Sequence, residues 1–325
     1  MSAFLISVGI GLSTAAILSL SAVAFTLEYA VSRVANFAHG EFLTIGAYAA
    51  YTGQTFFHQN VAAAALVAAA AGMLAGLALN AGLIEQFRGR SGITVFIATL
   101  GASLILQNVL VIVYGAANVS YTFTQGGLHH VGPFLWTTSD IEVIFSALAV
   151  AGLIYLLLQR TRFGKAVRAV SQDRALARVS GIPARRIVMQ TWALAGAVSG
   201  FAGFVLADTI GTFSPTLGFS FLLLTITATV AGGIGRPYAT FGGALVVGLV
   251  LQITGSYTSS AYELAFAFLL LVLLMLFRPN GVFVRGSATA VRALCTGSAS
   301  SPRRASSPSW PLAWMWSGAG AGTST

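Results

Sequence analysis

The chain has 325 residues, 56% of them hydrophobic and only 8% charged, with a mean hydropathy of +0.84. A soluble domain carries about 25% charged residues, so a water-soluble fold is excluded and the natural solvent is a bilayer. Net charge is +9 and Cys295 is the lone cysteine, which excludes a disulfide framework; the basic residues sit in loops between apolar runs, which argues against a nucleic-acid surface.

The N-terminus lacks the charged leader and small-residue cleavage site of a secretory signal, so the first apolar run, 4–27, is expected to stay as a membrane helix. Further runs near spanning length follow at 61–84, 93–114, 141–158, 187–207, 217–235, 241–257 and 261–277, with a weaker one at 42–57. The shortest sit at the lower limit of the roughly 17–25 residues that span hydrocarbon, so tilted or broken helices are expected. Arg88 and Arg90, the stretch 160–186, Arg236, and Arg278 with Arg285 mark cytoplasmic loops. Two passes separate each successive pair, so all four loops fall on one side. The loop 115–140, with no Lys or Arg but with His129, His130, Trp136 and Asp140, is placed outside. If 42–57 spans, Arg33 is inside, the N-terminus is outside and there are nine passes. If 42–57 only dips into the membrane, there are eight. The fold class is therefore all-α, a polytopic membrane protein of eight or nine transmembrane helices.

Gly196, Gly200 and Gly203, with Ala193 and Ala197 nearby, put small residues on one face of 187–207. Such a face lets helices approach closely, and helix packing is preferred over pore lining as its reading. The tail 285–325 is rich in Ser, Ala, Gly, Pro and Arg without an apolar period; it is expected to be disordered and without function.

Catalysis finds no support. No acidic pair sits centrally in an apolar run, and no His-Glu-x-x-His or Gly-x-Ser-x-Gly occurs, so no catalytic residue and no metal site is assigned. Phe163-Gly164-Lys165-Ala166 lacks the leading glycine and the Ser/Thr of a phosphate loop. Ion-driven transport usually leaves ionisable groups inside the membrane. Asp208 and Glu263 fall at outer helix ends, while Glu28, Arg33, His39 and Glu41 gather near an inner end. A path without internal coupling charges takes its energy from outside the chain.

That points to the basic stretch 160–186, which holds eight of the 17 Lys and Arg residues. Most of its charge is explained by orientation, but its interior spells a short helix. Asp173 is a good N-cap, Arg174 to Ser180 are helix-compatible, Gly181 is a typical C′ residue and Pro183 prevents continuation. Leu176 and Val179 share one side of this helix, Arg174 and Arg178 another. A small amphipathic knob suits a partner's groove; an interfacial connector lying on lipid headgroups is the competing reading.

The run from Gly164 through Asp173 to Gly181 resembles the cytoplasmic coupling segment of the branched-chain amino acid ABC transporter permeases. Four further stretches resemble that family's motifs in order and spacing. They are Asn36-Phe-Ala-His-Gly-Glu41, Phe87-Arg-Gly-Arg90 with Ile97 to Gly101 and Leu106-Gln-Asn108, Ala231-Gly-Gly-Ile-Gly235, and Arg278-Pro-Asn-Gly-Val-Phe283. The resemblance covers roughly 1–284, the transmembrane permease domain. It implies ABC importer permease architecture in a bacterial cytoplasmic (inner) membrane. Implied partners are cytoplasmic ABC ATPase subunits, a second related permease and an extracytoplasmic substrate-binding protein; ATP belongs to the ATPases, and this chain binds no cofactor. Carried over by motif, Asp173, Arg174, Ala175, Leu176, Arg178, Val179 and Gly181 form the ATPase-coupling helix. Asn36, His39, Gly40, Glu41, Gln107 and Asn108 fall near the translocation path. For His39 a hydrogen-bonded packing role is the plainer reading, and Asn36 is expected to cap a helix starting at Phe37. The charged stretch Glu28 to Arg33 departs from the family's more apolar pattern. The implied cargo is a branched-chain or other amino acid. Urea or a short amide on the same architecture is an alternative, and a stand-alone channel or secondary carrier is a rival from another class.

Overall fold

The computed structural model describes residues 2–56, 60–122, 127–131, 134–257 and 262–277. The 278–283 motif and the tail 285–325 lie outside the described residues. Eleven α-helices are described: α1 (Ser2–Ser32), α2 (His39–Phe56), α3 (Val61–Leu79), α4 (Gly92–Tyr114), α5 (Thr138–Arg160), α6 (Arg162–Gln172), α7 (Arg174–Val179), α8 (Ala184–Ile210), α9 (Leu217–Gly232), α10 (Pro237–Tyr257) and α11 (Glu263–Phe277). A π-turn, Asn80–Ile84, continues α3. Two short antiparallel strand pairs complete the elements: β1 (Val119–Ser120) with β4 (Thr212–Phe213), and β2 (Leu128–Val131) with β3 (Phe134–Thr137).

Each of the nine apolar runs of the sequence coincides with a helix among the described residues, the run 217–235 as far as Gly232. Six of them are long and apolar enough to cross a membrane: Ile6–Ser32, Val61–Ile84, Gly92–Tyr114, Thr138–Arg160, Ala184–Ile210 and Pro237–Tyr257. α9 and α11 have 16 and 15 residues. At about 1.5 Å per residue they fall short of a hydrocarbon core of about 30 Å.

The helix starts are written in local side chains. Asn60 Oδ1 accepts from the Ala63 N–H, Ser91 Oγ from Thr94 and Thr161 Oγ1 from Gly164. Thr137 and Asp140 cap α5 reciprocally, each side chain accepting from the other's backbone N–H at 3.2 and 3.0 Å. Each such cap satisfies a donor that the helix leaves open.

α8 is the central post. Glycines on it let two neighbours approach to backbone contact: Gly196 and Gly200 meet Gly72 of α3, and Gly200 also meets Gly46 of α2. A Cβ on Gly203 would strike the Leu43 carbonyl. The packing reading of this small-residue face holds. α1 lies antiparallel to α10, with Ala15 against Gly248 and Thr26 Oγ1 3.0 Å from Thr240 Oγ1.

The two ends of the bundle differ. Glu85 Oε1 takes Arg185 at 2.9 Å, and the Arg33 guanidinium bonds the Ser171 carbonyl, so Arg33, the loop after the π-turn and the 160–186 stretch meet at one basic end. At the other end Gln54 Oε1 accepts from the Thr122 N–H, Tyr121 Oη donates to the Ala47 carbonyl, and β1 pairs with β4. This agrees with the loop charges.

Between α1 and α2 the chain stops being helical inside the bundle. Arg33 closes α1 at φ 58°, a left-handed conformation costly for a non-glycine residue. Residues 34–38 then fold back into the interior, where Asn36 is 1% exposed. Asn36 Oδ1 accepts from the Ala38 N–H, and α2 starts at His39, two residues later than the capping rule places it. Non-helical backbone within a membrane bundle is tolerated where protein covers it; here Asn36 and Ala38 are buried and Val34, Ala35 and Phe37 are half-buried.

Candidate functional site

The fold-back creates a polar hub. Glu28 of α1 points at the start of α2, and its Oε1 lies 2.8 Å from His39 Nδ1. Its Oε2 accepts from Asn36 Nδ2 at 2.9 Å. His39 Nε2 lies 3.4 Å from both Ser21 Oγ of α1 and Ser199 Oγ of α8, and Ser21 Oγ is 2.8 Å from Thr225 Oγ1 of α9. An Nδ1–H donating to the carboxyl leaves Nε2 to accept from a serine hydroxyl. Four helices thus meet through one imidazole, and Glu28, Asn36 and His39 are at most 1% exposed. Phe25 and Phe42 close the hub with edge contacts to the imidazole at 5.3 and 6.0 Å.

Next to the hub, Glu41 faces α4. Ser103 Oγ donates to its Oε1 at 2.9 Å, while Oε2 is buried without a hydrogen-bond partner. Gly40 packs on Gly218 of α9 so tightly that a Cβ would overlap the carbonyl. The expectation of a path free of internal ionisable groups is therefore corrected: Glu28, His39 and Glu41 all sit inside the bundle. The charged inner end of α1 is also explained, since Glu28 is the partner of His39.

Of the six residues expected near the path, Asn36, His39, Gly40 and Glu41 come together. Gln107 and Asn108 lie farther along α4; Gln107 is half-buried, and Asn108 is exposed with its Nδ2 bonded to the Leu104 carbonyl at 2.7 Å. His39 has the hydrogen-bonded, packed environment of the plainer reading. Sequence reasoning missed Ser21, Ser103, Ser199 and Thr225. The available signal was the presence of small hydroxyl residues inside apolar runs.

The second feature is the basic end. α6 lies against the bundle through Val167 and Val170, and Gly164 packs on the Leu158 carbonyl. Asp173 then ends α6 and starts α7, its Oδ1 accepting from Ala175 N–H at 2.8 Å and Leu176 N–H at 3.0 Å. At the other end Gly181, at φ +79°, donates to the Arg178 carbonyl, and Ile182 donates to Ala177 at 3.0 Å. That closure needs the left-handed conformation that glycine adopts freely. Ala177 is buried, whereas Leu176 and Val179 are 64% and 87% exposed. α7 is a doubly capped helix with exposed apolar side chains. Beside it, a cavity of about 80 Å³ is lined by Asn80, Glu85, Arg88, Arg90, Arg174 and Arg185 among others. Burial draws the Arg88 guanidinium below its ordinary value, against the pull of Glu85.

A chain that buries ionisable groups within a bundle of apolar helices and, among the described residues, brings basic loops together at one end has the architecture of a polytopic membrane protein. Residues 7–276 match the family model described as branched-chain amino acid transport system, permease component, and the chain belongs to that family. It is 26% identical to the Escherichia coli K12 high-affinity branched-chain amino acid transport system permease protein LivH, over 85% of this chain and 94% of that one. It is 27% identical to the corresponding BraD protein of Pseudomonas aeruginosa, with the same coverage. The ribose import permease protein RbsC of Escherichia coli K12 is 29% identical over 68% of this chain and 72% of its own. No solved structure matches. The chain is a permease subunit of an ABC importer, a multi-pass component of the cytoplasmic membrane and not an enzyme.

Proposed function

We propose that this permease carries branched-chain or other amino acids inward, and that α7 is where a cytoplasmic ABC ATPase docks. In this reading ATP is bound by the ATPase subunits, a second related permease completes the membrane part, and an extracytoplasmic binding protein delivers the solute. Solute passes the region of Asn36, His39, Gly40, Glu41, Gln107 and Asn108. The observation that carries the docking is the exposure of Leu176 and Val179 on a helix fixed at both ends. Exposed apolar side chains on a rigid element are the usual anchors of a groove-bound helix. The names of the LivH and BraD relatives support the cargo.

The test replaces 173–181 with a Gly/Ser linker and measures co-purification of the ATPase together with uptake of radiolabelled leucine, isoleucine, valine and urea. Loss of the ATPase with normal membrane insertion is expected, as is uptake of at least one amino acid by the unaltered transporter. Retained association refutes the docking site, and uptake of urea alone refutes the cargo.

A further inference from the structure

α2 and α4 run parallel in a constant register. The Phe37 N–H donates to Thr99 Oγ1, Ser103 Oγ donates to Glu41 Oε1, and Thr52 Oγ1 lies 2.7 Å from Tyr114 Oη; each pair is separated by 62 positions. Thr99, Ser103, Gln107 and Tyr114 recur at steps of three to four residues or their sum, so they share one face of α4. The opposite faces carry Ile97, Leu104, Ile105, Ile112 and Val113, all exposed. The polar face is thus turned inward, onto α2, along most of the length of both helices.

Two groups on this seam are left open. Glu41 Oε2 and Tyr48 Oη are buried without a close hydrogen-bond partner, in residues 0% and 1% exposed; beyond Ser103, only the Thr44 hydroxyl on the same helix acts on the Glu41 carboxyl. They lie seven residues apart on α2, two turns along one face, roughly 10 Å. Both face α4, Glu41 through Ser103 and Tyr48 through the Tyr114 ring at 4.6 Å. Toward the outer end the seam is lined by rings: Tyr51 and Tyr114 at 6.5 Å, Tyr48 and Phe213 at 5.2 Å, Tyr121 and Phe213 at 5.1 Å. From outside inward the order is aromatic faces, a free phenol, then a carboxyl with one open oxygen. Aromatic faces attract cations, and a buried carboxyl oxygen without a donor is costly unless something fills it. Glu28, the neighbouring carboxyl, has no such vacancy, because His39 and Asn36 occupy both of its oxygens.

We propose that the α2–α4 seam opens as the track for solute within this chain, and that Glu41 recognises the solute's ammonium group. The inference rests on the amino acid importer reading and narrows it to primary-ammonium zwitterions, against neutral sugars and urea. α4 packs on the bundle chiefly through α2 and the π-turn, so the seam can part without disturbing the contacts around α8.

The assay uses the complete transporter in proteoliposomes with its binding protein at saturation, and radiolabelled leucine and urea as probes. Glu41→Gln keeps an acceptor for Ser103 and removes the charge. Leucine uptake is expected to fall about 30-fold or more, as for truncating a buried charge pair, with chain abundance unchanged and Glu41→Asp restoring part of it. Uptake within twofold of the unaltered protein overturns the assignment. If the unaltered transporter carries leucine and Glu41→Gln carries it equally, this proposal fails alone; if it carries urea and no amino acid, the importer reading fails with it. A second measurement does not depend on the folding of Glu41→Gln. A cysteine placed by Gln107→Cys, with Cys295→Ser, should react with a cationic methanethiosulfonate about 10-fold or more faster than with an anionic one, and leucine should slow it. Equal rates overturn the track.

Discussion

Removing the Glu28 carboxyl tests the hub directly. In Glu28→Ala, His39 Nδ1 and Asn36 Nδ2 lose acceptors held at 2.8 and 2.9 Å, in a site where all three residues are at most 1% exposed. Water cannot replace the carboxyl without a cavity that opens to it. Orphaning the buried imidazole N–H, together with the cavity that the lost carboxyl and its methylene leave, costs about 3–5 kcal/mol. The orphaned Asn36 donor belongs to the same network, so its own cost of about 1–3 kcal/mol overlaps with that figure rather than adding to it. For a bundle of this size 1 kcal/mol corresponds to roughly 2–4 °C, so the melting midpoint should drop by about 6–20 °C. Glu28→Gln keeps polar atoms in place and should lose less than half as much. The assay is the monodisperse fraction surviving a temperature series in detergent, read by size-exclusion chromatography. A Glu28→Ala protein that melts within about 2 °C of the parent refutes the hub.

Asp173→Ala deletes both N-cap bonds of α7 and should cost about 1 kcal/mol of local order. That lowers the ordered fraction of a marginal six-residue helix, so ATPase affinity should fall about fivefold while the melting midpoint stays unchanged; titration of the purified ATPase against the permease in nanodiscs reads it. Gly200→Ala drives a Cβ into the Ala68 carbonyl and to 3.0 Å from Gly72 Cα, which should cost about 1–3 kcal/mol. Gly101→Ala, with open space around its Cβ, should be neutral or stabilising by up to about 1 kcal/mol; equal melting of these two variants in the same detergent series removes the close-packing argument.

What was legible in the sequence was local. Asp173, Gly181 and Pro183 announced α7 because caps are decided by a residue and its next few neighbours. Gly196, Gly200 and Gly203 announced a packing face because small residues at helical spacing leave one side flat. α6 was overlooked although Val167 and Val170 already stood three apart behind the Thr161 cap. The hub was illegible for a different reason. Ser21 and Thr225 meet across 204 positions, and Glu28 reaches His39 only because the chain reverses at Arg33. α2 looked doubtful as a span because the residues that lower its hydropathy, His39, Glu41, Thr44 and Gln54, are buried against other helices instead of facing lipid.

The same geometry constrains how a push at α7 would reach the interior. α7 ends at Val179, and α8 begins at Ala184 after the Gly181 turn, so a docked ATPase would act on the foot of one continuous helix. Ser199 lies fifteen residues up α8, roughly 22 Å from that foot, and faces His39. One residue farther, Gly200 touches α3 and α2 at once. A tilt of α8 therefore acts on His39 only through a weak 3.4 Å hydroxyl contact, and on α2 from Leu43 to Gly46 through hard backbone contact. The soft contact gives way first. His39 can then stay tied to Glu28 of α1 while α2 from Leu43 onward follows α8, and the strain falls on the α2–α4 seam, where α4 has few other contacts to hold it.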